Sequence, residues 1–415
     1  MLETQFIKIS SVILYLLPFA LLTGPFIPDL LVSIISILFI FFSISKKKYI
    51  YFSNKYFFIL ASFNVYIILR SIFSDNPSLS FESSLFYFRF TIFSLAIWYL
   101  IDNNKFLIKN FSIFLLLTFL VALFDGYFQF LNSSNIFGYS SPGVRMTLLL
   151  NDNALLGGYL ARLFPFLLAI SILSFNLNRY KIIFLFSLFI LTDVLIFITG
   201  ERTALGLLFL STAFILIFVT KYKYLRLITF TISILIMIII SLSNSNIRER
   251  NIDYTLSQIG ISENSEKIYL FSARHQSHII GAWNMFIDNP LFGQGPKLFR
   301  YLCDKDEFNH NEDTCSTHPH NSYAQLLAET GIIGIIFLCT FLFYIFFKIV
   351  LHISSYYRKD TNRLSDYQIC LLACFLITLW PILPSQNFFN NWISIIYYLP
   401  IGFYLQSLNT GYNKK

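Results

Sequence analysis

The chain has 415 residues, of which 56% are hydrophobic and only 13% are charged, and its mean hydropathy is +0.65. Soluble globular domains carry about twice that charged fraction, so this composition excludes an ordinary soluble protein and predicts a polytopic membrane protein. We attribute the formal net charge of +8 to anchoring against anionic lipid, and we expect no nucleic-acid partner.

Apolar runs of about 17 to 25 residues, the length that a bilayer requires of a helix, recur about twelve times along the chain. They lie near residues 11–27, 29–45, 56–73, 81–101, 108–126, 154–175, 181–199, 203–220, 225–243, 331–347, 367–383 and 390–407. The runs predict an all-α membrane protein of about 12 transmembrane helices. No small-residue cleavage site separates the first two runs, so the first is expected to be a retained anchor rather than a signal peptide.

Lysine and arginine set the predicted orientation. With a cytoplasmic N-terminus, eighteen of these residues, Arg226 among them, fall in inner loops and tails, whereas the short outer loops contain only Arg145 and Arg202. Cytoplasmic loops of membrane proteins carry the excess of positive charge. Both termini are therefore expected in the cytoplasm.

Two arginines stand inside predicted helices that enter from the outer side. Arg89 and Arg162 each lie about eight residues into such a run, roughly 12 Å below the outer boundary at about 1.5 Å per residue. Charged side chains at this depth face the bundle interior or a wet cavity, where they are paired. One interpretation is a shared outward-open cavity, and the other is structural pairing with Asp125 or Asp193.

Two short outer segments carry further polar residues. The segment after the fifth run, from Ser140 to Arg145, continues to Asn151-Asp152-Asn153, which either takes part in a site or caps the next helix. After the seventh run, Glu201-Arg202 occupies a very short turn. Such a turn holds Arg202 at the membrane surface, and the alternative interpretation is a solvated ion pair.

One long loop, residues 244–320, is predicted on the outer side between the ninth and tenth helices, dividing the chain into 1–243, 244–320 and 321–415. Residues 273–287 predict an amphipathic helix, with Ser272 as its N-cap and Asp288-Asn289-Pro290 as its end. Arg274 opens this helix and either binds a ligand or lies in solvent. His275 and His278, one turn apart, are interpreted as surface or interfacial residues without a role.

Cysteines in the long loop suggest a covalent link. Cys303 and Cys315 are expected to form a disulfide if the outer compartment is oxidising. A zinc site built from these cysteines with His310, His318 and His320 is the rival interpretation. No Cys-x-x-Cys or His-x-x-x-His spacing is present, which disfavours zinc.

The most informative motif precedes the tenth run. Thr317-His318-Pro319-His320-Asn321 is followed by nine residues, Gly331, two residues and Gly334. This spacing resembles the signature of the O-antigen ligase and O-antigen polymerase superfamily of bacterial envelope glycosyltransferases. The region around Arg145, the turn at Arg202, and Arg274 ahead of Trp283 and Pro290–Gly295 are similar to arginine elements of that family.

The resemblance implies a catalytic site on the periplasmic side of the inner membrane. His320 is expected to be the general base, and Arg202, Arg274 and Arg145 are expected to bind the donor diphosphate. Asn321, Arg89, Arg162 and Asn153 are expected to support them, and Gly331 and Gly334 to permit close packing. The donor would be a glycan on undecaprenyl diphosphate, and the acceptor lipid A-core or a growing glycan. Transfer would invert the anomeric centre and need no metal or cofactor.

Several functions remain open at this stage. A compact outer loop favours a ligase over a polymerase, and a protein O-oligosaccharyltransferase shares the same pattern. A transporter or flippase of lipid-linked glycan is the alternative of another class. Transporters commonly have repeated halves, often joined by a longer inner connection, whereas the long loop here lies outside and after the ninth helix.

Overall fold

The computed structural model describes residues 2–141, 145–150, 152–174, 178–261, 269, 271–358 and 363–409. Within these ranges the chain is helical, with one isolated bridge between Ser134 and Ser140 and no extended strand. This confirms the predicted all-α fold. The helices are α1 (Leu2–Ala20), α2 (Phe26–Lys46), α3 (Lys55–Ile72), α4 (Pro77–Ser84), α5 (Phe88–Asn103), α6 (Leu107–Asn132), α7 (Leu156–Ser174), α8 (Arg179–Ile198), α9 (Arg202–Phe218), α10 (Lys223–Ser243), α11 (Ser245–Arg248), α12 (Tyr254–Gln258), α13 (Ala273–Asp288), α14 (Phe299–Leu302), α15 (Ser322–Arg358), α16 (Asp366–Thr378) and α17 (Asn391–Asn409).

Nine segments of the described chain are long and apolar enough to cross a membrane. They comprise α1, α2, α3, α4 with α5, α6, α7, α8, α10 and α15. Helices α9 and α16 are apolar but shorter, and α17 is not among the nine. Each predicted apolar run nevertheless falls on a helix, so the chain is a multi-pass membrane protein and the count of twelve spans stays a prediction.

Helix α7 lies at the centre of the bundle, where it contacts α6, α8, α9 and α16. Its 18-residue apolar window is 94% buried, whereas that of α15 is only 22% buried. A helix that is apolar on all faces is stable only when other helices surround it, which explains the central position of α7. The outer end of α7 therefore places Gly157 and Gly158 beside the functional site described below.

Helix α15 is two helices joined at a kink. Gly331 has φ 62° and ψ −162°, a backbone conformation that is essentially restricted to glycine. The predicted run near 331–347 begins at this kink, but the helix extends outward to Ser322 and inward to Arg358. The outer part, residues 322–330, positions the residues that precede it.

The turn after α13 passes over the kink of α15, and the two backbones are in direct contact. The N–H of Gln294 donates to the carbonyl of Ala328 at 2.8 Å. A Cβ added to Gly331 would lie 2.4 Å from the Leu291 carbonyl oxygen, and one added to Gly293 would lie 2.4 Å from the Thr330 nitrogen. Gly331 therefore permits close packing, as expected, although its partner is a loop rather than a helix.

Helix α13 has nearly the bounds that its sequence predicts. It begins at Ala273, after Ser272, whose Oγ accepts a hydrogen bond from the His275 N–H at 3.3 Å, and it ends at Asp288. A second small hydrophobic core joins α13 to α14 and to the outer part of α15; it consists of Ala282, Met285, Leu298, Phe299, Leu302, Cys303, Phe308 and Ala328. This core holds the outer segment on the bundle.

Arg226 was predicted to contribute positive charge to the inner surface, and this is wrong. Its side chain is fully buried, where it forms an ion pair with Asp193 at 2.7 Å and donates to the hydroxyl of Thr212. Ser233 also donates to Asp193, at 3.1 Å. A buried arginine requires such a paired environment, and these bonds fasten α10 to both α8 and α9.

Candidate active site

His320 lies two residues before the start of α15 and has a strained backbone. Its φ of 52° lies in the left-handed region, which non-glycine residues rarely adopt and which occurs preferentially at functional sites. The N–H of Ser385 donates to the His320 carbonyl at 2.8 Å, and the hydroxyls of Ser385 and Ser322 lie 2.8 Å apart. The loop before α17 thus fixes the conformation of His320.

Asn321 caps α15. Its side-chain oxygen accepts hydrogen bonds from the N–H groups of Tyr323 at 2.9 Å and Ala324 at 3.1 Å, as an N-cap residue does. Its side-chain nitrogen donates to the Pro381 carbonyl at 2.9 Å. Asn321 therefore positions His320 by fixing the start of the helix, because its own side chain is bonded to backbone groups.

Four imidazoles form a cluster at this position. The ring centroid of His320 lies 4.1 Å from that of His318, 5.0 Å from that of His275 and 5.5 Å from that of His278. His275 and His278 come from α13, and His318 comes from the segment before α15. Sequence analysis missed the two helix residues, although their spacing placed them on one face, because nothing indicated which surface α13 would cover.

The loop closed by a disulfide packs against α13, which carries two residues of the cluster. Cys303 and Cys315 form a disulfide with a Cα–Cα distance of 5.3 Å. Thr314, next to Cys315, is fully buried and its carbonyl lies 3.1 Å from Nδ1 of His278. A Cβ on Gly281 would lie 2.4 Å from the Thr314 side chain. The loop therefore holds α13 close enough for its histidines to reach His320.

The environment keeps His320 neutral. The pKa of its imidazole is lowered to about 3, first by burial and then by the neighbouring charges of His318, His275, His278 and Arg274. Burial is also the main reason that the pKa of His318 is lowered to about 4. Neutral imidazole is the form that a general base needs, and His320 is in that form at physiological pH.

Two of the three predicted phosphate-binding arginines flank the cluster. Arg274 is exposed, with Nε 3.6 Å from Asp313, and its charge lowers the pKa of His320. Arg202 lies on the other side, where its charge lowers the pKa of His275. Both arginines thus lie close enough to the histidine cluster for their charges to act on it.

Arg250 is a further guanidinium that sequence analysis did not single out. The guanidinium carbons of Arg202 and Arg250 lie 5.3 Å and 5.6 Å from the Tyr254 ring centroid. Nε of Arg250 donates to the Gly200 carbonyl at 3.4 Å, and Arg202 donates to the Thr255 hydroxyl at 3.4 Å. These partners are neutral, so both positive charges face the site without a carboxylate partner in the described part of the chain.

Glu201 caps α7 and is not part of a solvated ion pair with Arg202. Its carboxylate accepts hydrogen bonds from the N–H groups of Gly157 at 2.7 Å and Gly158 at 3.1 Å. Burial raises the pKa of Glu201 to about 7, against the opposing charge of Arg145 and Arg162. The Glu201 side chain therefore caps the N-terminal end of α7.

Arg145 and Arg162 lie near Glu201, and their charges act on its carboxyl group. Arg145 donates to the Ala154 carbonyl at 2.8 Å, while its Nε is buried and has no hydrogen-bond partner among the described residues. Arg162 donates to the Gly158 carbonyl at 3.2 Å. The backbone carbonyl of Asn153 accepts from Leu148 at 3.0 Å; Pro142–Val144 and Asn151 lie outside the described residues.

Arg89 lies apart from this cluster. Its guanidinium pairs with Asp29 at 2.8 Å, and Asp29 also accepts a hydrogen bond from Asn391 at 3.0 Å. The predicted pairing of Arg89 with Asp125 or Asp193 is wrong, since Asp193 pairs with Arg226 and Asp125 accepts hydrogen bonds from Gln129 and Ile136. Arg89 thus ties α5 to α2 and α17.

No group of three or more His, Cys, Asp or Glu in the described ranges is arranged to hold a metal ion. The rings of His318 and His320 are near one another, but His278 is committed to the Thr314 carbonyl and both loop cysteines are in the disulfide. The zinc interpretation therefore finds no ligand set here.

The comparison with protein families agrees with the histidine motif. Residues 184–339 match a family model described as O-antigen ligase. This segment runs from α8 into α15 and contains Arg202, Arg250, Arg274 and His320. No curated protein matches the chain. This match supports the resemblance to the O-antigen ligase superfamily that the histidine and arginine motifs indicated.

Proposed function

We propose that the protein is a ligase-like glycosyltransferase that moves a glycan from undecaprenyl diphosphate to a lipid A-core acceptor on the periplasmic side of the inner membrane. The observation that supports this proposal is the histidine cluster around His320, in which the charge of Arg274 lowers the pKa of His320 and the charge of Arg202 lowers that of His275. Guanidinium groups bind phosphate bidentately and stay charged at any working pH, which suits a diphosphate donor.

The reaction needs one proton acceptor and one anion site. A ring nitrogen of His320 takes the proton of the acceptor hydroxyl as its oxygen forms a bond to the anomeric carbon. The bond from that carbon to the diphosphate breaks, and its electron pair leaves on the diphosphate, whose added charge Arg202, Arg250 and Arg274 stabilise. Attack opposite the leaving group inverts the anomeric centre. In this scheme the arginines supply the positive charge, so the step needs no metal.

The test uses purified protein in liposomes, supplied with undecaprenyl-diphosphate-linked glycan and lipid A-core. Wild-type protein should form glycan attached to lipid A-core, and His320→Ala should reduce the rate at least 100-fold, because general-base catalysis typically contributes about 10²- to 10⁴-fold. His310→Ala is the matched control, since His310 is an exposed loop histidine outside the cluster. The melting temperature of each variant checks that it is folded.

The same experiment separates the other functions. Glycan that lengthens on the undecaprenyl carrier, without reaching lipid A-core, would identify a polymerase. Movement of the lipid-linked glycan between leaflets without transfer would identify a flippase. Full activity of His320→Ala would refute the role of His320 as the base.

A further inference from the structure

A polar pocket lies at the end of the bundle opposite to the candidate active site. Helix α9 begins at Arg202 beside that site and ends at Phe218, about 25 Å away at about 1.5 Å per residue. The turn from α9 to α10, the end of α15 and the start of α16 enclose a pocket of about 570 Å³, a size that small ligands occupy. We call it the Lys223–Arg363 pocket, and the lining residues that matter here are Lys223, His352, Tyr356, Arg363 and Asp366.

Two basic side chains line the pocket without a carboxylate partner among the described residues. Lys223 is the first residue of α10. Arg363 donates from Nε to the Ser355 carbonyl at 3.3 Å and from Nη2 to the Tyr356 carbonyl at 3.0 Å. These bonds use two of the five N–H groups of a guanidinium. The pocket therefore presents two positive charges whose partners in the described chain are neutral.

Asp366 also lines the pocket, but donors from the turn between α9 and α10 satisfy its carboxylate. It accepts hydrogen bonds from the N–H groups of Thr220 at 3.0 Å and Lys221 at 2.6 Å, and from the Thr220 hydroxyl at 2.8 Å. These bonds tie the start of α16 to the turn. Because they compensate the negative charge of Asp366, the two cations dominate the electrostatics of the pocket.

His352 adds a neutral donor to the pocket wall. Its Nδ1 accepts a hydrogen bond from the Leu364 N–H at 3.2 Å, so the ring proton is on Nε2, which can donate. The ring packs edge-on against Phe218, with centroids 6.4 Å apart. An ammonium, a guanidinium and an imidazole N–H thus line one pocket, and this donor set complements the oxygen atoms of a phosphate.

Hydrophobic side chains form part of the pocket wall. Ile217 and Tyr357 both line it and are 65% and 80% exposed, and Ile353 lies on the same wall. Tyrosines at the ends of membrane helices lie at the level of the lipid headgroups. A soluble anion would gain nothing from these walls, whereas a phospholipid would bury its glycerol and upper acyl chains against them.

We propose that the Lys223–Arg363 pocket binds the headgroup of an anionic phospholipid. The phosphate lies between Lys223 and Arg363, and the acyl chains leave past Ile217. Basic pockets between membrane helices on the cytoplasmic side bind headgroups of this class, and this end of the bundle is the one predicted to face the cytoplasm. The bound lipid connects α10 to the segment before α16, and its binding is independent of the transfer reaction.

The test removes the two charges and measures lipid binding directly. Purified protein in a nonionic detergent is titrated with phosphatidylglycerol, and the dissociation constant is measured by native mass spectrometry. The site variant is Lys223→Gln with Arg363→Gln. Its matched control is Lys105→Gln with Arg179→Gln, which removes two exposed cations that are also predicted to face the cytoplasm but do not line the pocket. Phosphatidylcholine and inorganic phosphate are the comparison ligands.

We expect the site variant to bind phosphatidylglycerol at least tenfold more weakly than wild type, because each basic residue near the membrane surface contributes roughly fivefold. The control variant should stay within twofold of wild type, and phosphatidylcholine should bind wild type at least tenfold more weakly than phosphatidylglycerol. If the site variant shows no cooperative melting transition, Lys223→Gln alone decides, with an expected loss of at least threefold.

Three results would overturn the assignment. Equal weakening in the site and control variants would mean that only the general surface charge attracts the lipid. Unchanged affinity in the site variant, or in Lys223→Gln where that variant decides, would mean that the lipid binds elsewhere. Displacement of phosphatidylglycerol by millimolar inorganic phosphate would identify a soluble anion as the occupant.

Discussion

At the scale of single residues, His320 combines two unfavourable features that only surrounding structure can maintain. Its backbone is left-handed, and its ring is partly buried among three other imidazoles and Arg274. Strain of this kind costs about 1–3 kcal/mol per residue. The bonds of Ser385 and the cap of Asn321 hold it in place.

The lowered pKa of His320 has a consequence for the pH dependence of transfer. A histidine whose pKa is about 3 in the folded protein stays neutral throughout the range from pH 8 to pH 5. We therefore expect kcat/KM for the donor, which reports the free enzyme, to change less than twofold between pH 7 and pH 5. A base with the ordinary pKa of about 6.5 would lose roughly 25-fold over the same interval.

Measuring this profile needs one control. The Arg274→Gln variant removes one of the charges that lower the pKa of His320, so its acid limb should move to higher pH than that of wild type. Because donor binding is also weakened, the comparison uses the shape of the profile and not its height. A wild-type rate that halves near pH 6.5 would mean that His320 is ordinary or is not the base.

At the scale of elements, the crossing of the α13 turn over the α15 kink is the most demanding contact in the outer segment. Gly331→Ala should lower stability by about 2 kcal/mol or more, because alanine is strained at this φ and its Cβ would lie 2.4 Å from the Leu291 carbonyl oxygen. The melting temperature in detergent measures this loss. The outer part of α15 joins Gly331 to His320, so a shift of this part should lower transfer as well.

Gly138→Ala is the control for this prediction. Gly138 also has a positive φ, +88°, but an added Cβ would meet nothing within 4 Å. Both substitutions place alanine at a positive φ, and only the one at Gly331 adds a steric overlap. If Gly331→Ala is as stable as Gly138→Ala, the close crossing does not exist as described.

The elements that sequence predicted well are those whose signals are local. Helix α13 follows Ser272, whose hydroxyl caps it through a neighbour three residues away. The cap of α7 was not predictable, because Glu201 is more than 40 residues from the glycines that it binds. The buried position of Arg226 was missed for the same reason, since its partner Asp193 belongs to another helix.

The same distinction applies to the candidate site: residues within short sequence motifs were predicted, and residues brought together only by folding were not. The motif around His320, with Arg202 and Arg274, could be recognised by its resemblance to the motifs of the O-antigen ligase superfamily. Arg250 and the two histidines of α13 could not, because only the folded outer segment brings them to His320 and Arg202. Hydrophobic periodicity predicted the helix that carries the two histidines. It did not predict which residues this helix and Arg250 would contact.

At the scale of the whole molecule, the placement of the site depends on the orientation of the bundle. His320, Glu201 and Arg145 gather at one end, where α8 ends and α7 and α15 begin. The lysines and arginines that are predicted to face the cytoplasm lie at the other end. Burial of Arg226 removes one of these eighteen charges, and the excess over the two on the short outer loops remains. The site is therefore expected to face the periplasm.

Accessibility of introduced cysteines tests this orientation. Phe137→Cys lies in the loop after α6 and Tyr180→Cys near the start of α8, at positions that are 57% and 81% exposed. In intact spheroplasts a membrane-impermeant maleimide should label Phe137→Cys and should reach Tyr180→Cys only after permeabilisation. The unmodified protein gives the background: Cys370 and Cys374 are buried, Cys303 is bonded to Cys315, and any labelling of the partly buried Cys339 is subtracted. The reverse pattern would place His320 in the cytoplasm, where nucleotide sugars rather than lipid-linked glycans are the usual donors, and the proposed transfer would have to be abandoned.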